Sequence, residues 1–253
     1  MTVERGIKLK TPDEVEIMRR AGQLVAATLD MVAEEIGDGM TTARLDTLVE
    51  DFIRSHEAVP AFKGYQGFPA SACVSINEEV VHGIPGDRVI KNGDIVSVDI
   101  GTIVDDFYGD SARTFAVGEI TEEKSRLMQC TQRCLEAGIK KACNGNKLGL
   151  VSAAVQQVAE GEGYGVVRQL VGHGIGRKLH EEPQVPNYGS PEEGPILKTG
   201  MVLAIEPMIN MGTHEIKTLP DQWTVVTADG QPSAHFEHTI VITDNGPEII
   251  TLV

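Results

Sequence analysis

The chain has 253 residues, 41% hydrophobic and 23% charged, which suits one large domain and excludes a disordered chain. Its formal net charge of -15 disfavours a protein whose main task is gripping nucleic acid, because phosphate neutralisation needs clustered Lys and Arg. No stretch approaches a membrane span and the start MTVERGIKLK lacks the apolar region of an export signal, so a cytoplasmic protein without DNA or membrane partners is expected.

The first element predicted is a long helix. Thr11-Pro12-Asp13-Glu14 supplies an N-cap, a proline in the first turn and an acid three residues after the cap. Ile17, Met18, Ala21, Leu24, Val25, Thr28, Leu29, Val32 and Ile36 then keep the spacing of one buried face until Gly37-Asp38-Gly39 stops it. A second helix starts near Thr42 and runs through Leu45, Leu48, Val49, Phe52 and Ile53. From Val59 to Gly86 the chain is rich in Gly, Pro and aromatics, as loops that line sites often are. Two strands follow, Ile95–Ile100 and Phe107–Val117, joined by a short polar connection.

From Thr121 the plan recurs. A helix through Leu127, Met128, Cys134, Leu135 and Ile139 precedes a shorter one carrying Val151, Val155 and Val158, and strand-like runs follow at 200–210, 223–227 and 235–242. Helices then strands, twice, predict a pseudo-repeat with halves of about 12–117 and 121–253. Cys73, Cys130, Cys134 and Cys143 form no CxxC pair; reduced thiols are expected, with Cys130 and Cys134 in the core.

The chemistry begins in the hairpin. If its connection is centred between Val104 and Asp105, Asp99 and Asp110 face each other with Cβ atoms roughly 4.5 to 5.5 Å apart, and something positive should sit between them. A slip by one residue would instead turn one Asp to solvent. His173 lies within Gly172–Gly176, Glu206 ends the apolar run Met201–Ile205, and Glu237 interrupts Ala234–Ile242. Each taken alone is more often a loop or solvent-facing residue. Together they suggest one site, because buried carboxylates are rare unless paired or bound to metal. Four carboxylates and one neutral imidazole carry four negative charges, which two divalent cations would balance, and oxygen-dominated ligation favours Mn, Fe or Co over a thiolate-bound zinc.

The ordered set resembles the methionine aminopeptidase family. The motifs that carry the resemblance run from Ser75 to Gly86 (SINEEVVHGIPG), then Val98-Asp99-Ile100-Gly101, Gly109-Asp110, Gly172-His173-Gly174-Ile175-Gly176, Ile205-Glu206-Pro207 and Phe236-Glu237-His238-Thr239. The resemblance implies the pita-bread fold, an α+β domain whose two pseudo-symmetric halves surround a curved antiparallel sheet. It implies metal ligation by Asp99, Asp110, His173, Glu206 and Glu237, with Asp110 and Glu237 bridging two ions drawn from Co, Mn, Fe or Zn. The implied activity is removal of the initiator methionine from nascent polypeptides whose second residue is small, a rule that this chain's own Met1-Thr2 would satisfy.

Under the same resemblance His82 would bond the scissile amide, His180 would stabilise the oxyanion, and Glu206 would carry the proton to the leaving nitrogen. Tyr65, Phe68, Cys73, Leu179 and Trp223 would form the methionine pocket, with Phe62 standing where many relatives have a smaller residue and Leu179 where an aromatic is common. Asn77, Glu79 and Ser233 match a monovalent-cation site of relatives. The short interval from His173 to Glu206 and the absence of an amino-terminal extension match the type I short form of bacteria. A monomer is expected, and a local basic loop leaves room for a transient ribosome contact despite the acidic total. The competing interpretations are a proline-directed peptidase of the same fold, which usually carries a large extra domain, and a binding relative that has lost its metals.

Overall fold

The computed structural model describes residues 6–253, so the Met1-Thr2 start and the rest of the first five residues lie outside the described residues. Thr11 caps helix α1 (Pro12–Glu35). Its hydroxyl accepts from the Glu14 N–H while the Glu14 carboxylate accepts from the Thr11 N–H, the reciprocal box that the local sequence predicts. Thr41 caps α2 (Thr42–Ser55) by accepting from the Arg44 N–H. Val25 and Leu29 of α1 and Leu45 and Val49 of α2 form one core with Val74, Val98 and Ile100 of the sheet beneath. Fully burying each such side chain stabilises the fold by about 2 kcal/mol.

That sheet is built on a long strand. The strands β1 (Val59–Pro60), β2 (Ala72–Ile76) and β3 (Glu79–Val81) come first, and β4 (Ile95–Val104) then pairs with β1 and β2 on one edge and with β5 (Phe107–Ala116) on the other. Helix α1 crosses β4 and β5 where side chains are missing. A Cβ on Gly109 would lie 2.7 Å from the Gly22 nitrogen, so this pair of glycines brings helix backbone against strand backbone. The Thr102 hydroxyl fastens the contact by donating to the Ala21 carbonyl at 2.9 Å.

The β4–β5 hairpin corrects the expected register. Val104 pairs with Phe107, leaving Asp105 and Asp106 as a two-residue turn with φ of 47° and 65°. Left-handed conformations at both turn positions match the right-handed strand twist, and Asp tolerates them. The centre therefore falls between Asp105 and Asp106, so Asp99 opposes Ala112 and Asp110 opposes Gly101. The displacement is by two residues, not one. Two restores the face, and Asp99 and Asp110 remain diagonal neighbours on the same side of the hairpin.

Helices α3 (Glu122–Lys141) and α4 (Gly149–Gly161) open the second stretch, with Cys130 and Cys134 wholly buried in the core and every cysteine free. The strands β6 (Gly165–Val166), β7 (Gly172–Gly174), β8 (Glu181–Val185), β9 (Val202–Ile205), β10 (Met208–Asn210), β11 (Ile216–Thr218), β12 (Val225–Thr227), β13 (Ser233–His235), β14 (His238–Thr243) and β15 (Gly246–Ile249) follow. They form an antiparallel sheet β15-β14-β9-β7-β8 and two ladders, β13-β10-β6 and β11-β12-β3. The expected runs 200–210 and 235–242 are each broken. Pro207 has no N–H to give, so pairing stops at Ile205 and resumes at Met208. The second break separates His235 from His238. Glu206 and Glu237 sit in these two gaps.

The two stretches meet along β5. Ser111 donates to the Glu237 carbonyl at 2.6 Å, the Glu237 N–H donates to the Ala112 carbonyl at 2.9 Å, and Thr239 donates to the Asp110 carbonyl at 2.7 Å. Thr114 both donates to the His235 carbonyl at 2.8 Å and accepts from its N–H at 2.9 Å. Among the described residues no helix is long and apolar enough to cross a membrane.

Candidate active site

Every ligand, catalytic and pocket residue expected from the sequence lines a single cavity of about 190 Å³, and Phe62 and Gln66 join them. The floor is made of acids. Asp110, His173 and Glu237 offer atoms that all lie within 4.8 Å of one another. The His173 Nε2 stands 3.7 Å from Asp110 Oδ2 and 3.6 Å from Glu206 Oε1. Because His173 Nδ1 lies 2.9 Å from the Gly174 carbonyl, it must be the nitrogen that carries the proton. The Nε2 lone pair is thereby aimed at carboxylate oxygens, an arrangement that is repulsive unless a cation lies between them.

The unpartnered atoms say the same. Asp99 Oδ1, Asp110 Oδ1 and Glu237 Oε1 are buried and have no hydrogen-bond partner. Burial pushes the Asp99 carboxyl up to about 7 and that of Glu206 up to about 8. Asp110 and Glu237 are held well above the ordinary carboxyl range, first by burial, then by the charge of Asp99 on Asp110 and of Asp110 on Glu237. Burial drives His173 down to about 3, which keeps it neutral and able to ligate. The donor set fits divalent cations.

Above the floor stand two histidines. His180, at the rim, has its Nδ1 2.7 Å from the Tyr65 hydroxyl, and its ring centroid is 4.3 Å from that of His173. Burial lowers His180 and takes His82 down to about 4, with the charge of His235 adding to the effect on His82. His82 follows β3 with a φ of 58°, a conformation that costs a non-glycine residue energy and collects at functional sites.

The apolar wall is assembled from loops. Tyr65 and Phe68 flank a turn in which Gly64, Gln66 and Gly67 are all left-handed. Phe68 meets Trp223 edge-on at 5.1 Å, and Asp221 holds the Trp223 turn by accepting from the N–H groups of Trp223 and Thr224, each at 2.9 Å. Cys73 pairs with Asp99 across β2 and β4 and so joins wall to floor. Phe62 lies over β4 at Gly101, where an added Cβ would come within 2.7 Å of its ring.

The sequence reading missed His235. Its buried Nε2 stands 3.6 Å from Glu206 Oε2 and has no hydrogen-bond partner. The available signal was an imidazole two residues before Glu237, near the start of the run Ala234–Ile242 that Glu237 interrupts. Asn77, Glu79 and Ser233 lie outside the cavity lining. The Ser233 N–H donates to the Asn77 carbonyl at 2.8 Å, Lys124 donates to Asn77 Oδ1 at 2.8 Å, and Arg88 pairs with the Glu79 carboxylate. Those side-chain oxygens are thus matched by cations of the chain itself.

The profile of metallopeptidase family M24 matches residues 16–244. The chain belongs to this family. The M24 chain is 55% identical over 247 residues to a methionine aminopeptidase of Clostridium acetobutylicum, covering 97% of itself and 99% of that relative. The crystal structure of a methionine aminopeptidase from Thermotoga maritima superposes with a TM-score of 0.96 at 48% identity, covering 98% of this chain and 100% of that one. A prolidase from Pyrococcus furiosus shares the fold alone, with a TM-score of 0.80 at 24% identity over 97% of this chain and 65% of that one. The fold is the pita-bread fold, as the resemblance implied, and M24 membership makes the chain a metal-dependent hydrolase.

Proposed function

We propose that this M24 hydrolase removes the amino-terminal methionine of nascent polypeptides whose second residue is small. Two divalent ions, from Co, Mn, Fe or Zn, would be held by Asp99, Asp110, His173, Glu206 and Glu237. The observation that carries this proposal is the meeting of buried, unpartnered carboxylates with a pocket walled by Tyr65, Phe68, Leu179 and Trp223. A flexible thioether suits such a wall, where sulfur gains from contact with ring edges. When bound, the ions supply polarisation of the scissile carbonyl, a nucleophilic water near neutral pH and a hold on the free α-amine.

The remaining work falls to side chains. Glu206 accepts the water's proton and returns it to the leaving nitrogen, a task suited to a carboxylate that lines the cavity beside the ion site. A Tyr65 hydroxyl that donates to His180 Nδ1, 2.7 Å away, would place the imidazole proton on Nε2, where it bonds the oxygen on which charge develops. His82 bonds the scissile amide. The recurrence of helices then strands over 12–117 and 121–253 supports two related halves, and we take the enzyme to act as a cytoplasmic monomer.

The test is release of free methionine from Met-Ala-Ser beside Met-Lys-Ser and Ala-Pro-Ala, using chelator-stripped protein with Mn, Fe, Co or Zn returned. Cleavage of Met-Ala-Ser alone, with metal, is expected. Cleavage of Ala-Pro-Ala instead would assign the proline-directed branch, and no cleavage with any metal would leave a binding relative.

A further inference from the structure

Glu206 is asked to do two things at once, to hold an ion and to move a proton, so its carboxylate needs one fixed orientation. Its backbone is tied by Asn187, whose side-chain amide donates to the Glu206 carbonyl at 3.0 Å. Its two carboxylate oxygens point to different imidazoles, Oε1 to His173 and Oε2 to His235, each at 3.6 Å. His173 presents a lone pair on that side and cannot hold an oxygen. His235 can. Its Nε2 is buried and makes no hydrogen bond, and among the described residues the one carboxylate oxygen paired with it within 4 Å is Glu206 Oε2.

We propose that His235 is a positioning residue, its Nε2–H donating to Glu206 Oε2 so that Oε1 is turned toward His173 and the ion site. The inference rests on the proposed role of Glu206. The 3.6 Å separation is a few tenths longer than a hydrogen bond, and contacts of this kind tighten when the site fills. The mount of His235 is rigid. Thr114 grips its N–H and its carbonyl together, the Thr114 hydroxyl lies 2.9 Å from that of Ser97, and β13 pairs His235 with Met208, two residues beyond Glu206. Donor and acceptor are therefore carried by paired strands from two breaks in the sheet.

The experiment compares His235→Leu, His235→Gln and His235→Asn with the unaltered chain. It measures kcat and KM on Met-Ala-Ser with Mn, and Mn affinity by calorimetry on the stripped protein. A glutamine amide reaches about as far as Nε2 and an asparagine amide falls short. His235→Leu should lose about 10- to 100-fold in kcat and a similar factor in Mn affinity, with KM unchanged. His235→Gln should recover most of both, and His235→Asn should not. Wild-type kcat and affinity in His235→Leu would overturn the proposal, as would a Gln variant no better than Asn, a comparison that stands even if the Leu variant unfolds. Unchanged kcat on Met-Ala-Ser with new cleavage of Met-Lys-Ser would also overturn it, showing that His235 only limits space beyond the methionine. Glu206→Gln is the control. Full turnover in that variant would remove the role of Glu206 itself, a failure separate from that of His235.

Discussion

Filling the metal site should expel protons, and the number follows from burial. Asp99, pushed up to about 7, is poised near half protonation at pH 7, while Glu206, pushed up to about 8, is mostly protonated. Asp110 and Glu237 are shifted in the same direction by burial and by their neighbours' charges. Asp99 and Glu206 together therefore hold about one and a half protons on the metal-free floor at pH 7, and ligation requires carboxylates without them. Titrating Mn into stripped protein, in buffers of different ionisation heat, should show release of about one and a half protons from Asp99 and Glu206 at pH 7, falling toward pH 9 as Asp99 and then Glu206 ionise beforehand. Release of about one and a half protons makes the combined affinity for the ions rise about thirtyfold per pH unit near neutrality. Asp99→Asn should lower the release by about half a proton. Observed release well below about one proton would refute the reasoning, since the acids would then be ionised without their cations.

The same shifts set a stability window for the metal-free chain. Raised carboxyls make the folded state bind protons more tightly than the unfolded state, so their contribution falls as pH rises through about 7 and about 8. The depressed histidines His82 and His173 act in the opposite sense, but only up to their unfolded value of 6.5. Above pH 7 the carboxyls stand alone, so the melting temperature of stripped protein should drop between pH 7 and 9 and that of Mn-loaded protein should not; a rise in the stripped protein would contradict this. Tyr65→Phe should lower kcat about tenfold with Mn content unchanged, because His180 Nδ1 loses its partner; loss of metal instead would mean His180 is a ligand. Gly101→Ala should drive Phe62 into the cavity, raising KM for Met-Ala-Ser about tenfold and costing about 1 to 3 kcal/mol in a denaturant melt; an unchanged KM would show that Phe62 does not bound the substrate pocket.

The helices were legible because their caps and periodic apolar faces are local signals, and Thr11, Glu14 and the stop after Ile36 behave as written. The hairpin was legible in its faces but not in its register. Centring it required knowing that Asp105 and Asp106 would both adopt left-handed backbone, which short polar turns do not announce. That error of two left Asp99 and Asp110 together, whereas an error of one would have parted them. Glu206 and Glu237 stood out as acids in apolar runs, yet the breaks that turn them inward came from Pro207 and from pairing to β5, a contact distant in sequence. His235 escaped because it ends a short strand and its partner, Glu206, lies in the gap between β9 and β10, distant in sequence. The pocket wall was reached only through resemblance, since Tyr65, Phe68 and Trp223 sit on loops whose periodicity carries no information.

The join along β5 has a consequence for how the chain finds its own address. A regular ladder is anonymous, since every amide can pair with every carbonyl and a slide by two residues keeps each face intact. The join here is mostly made by named hydroxyls, Ser111 to Glu237, Thr114 to His235 and Thr239 to Asp110. None of these bonds survives a slide. Three small side chains thus act as a key between distant parts of the chain, and the alignment they enforce is the one that sets Asp110 beside Glu237.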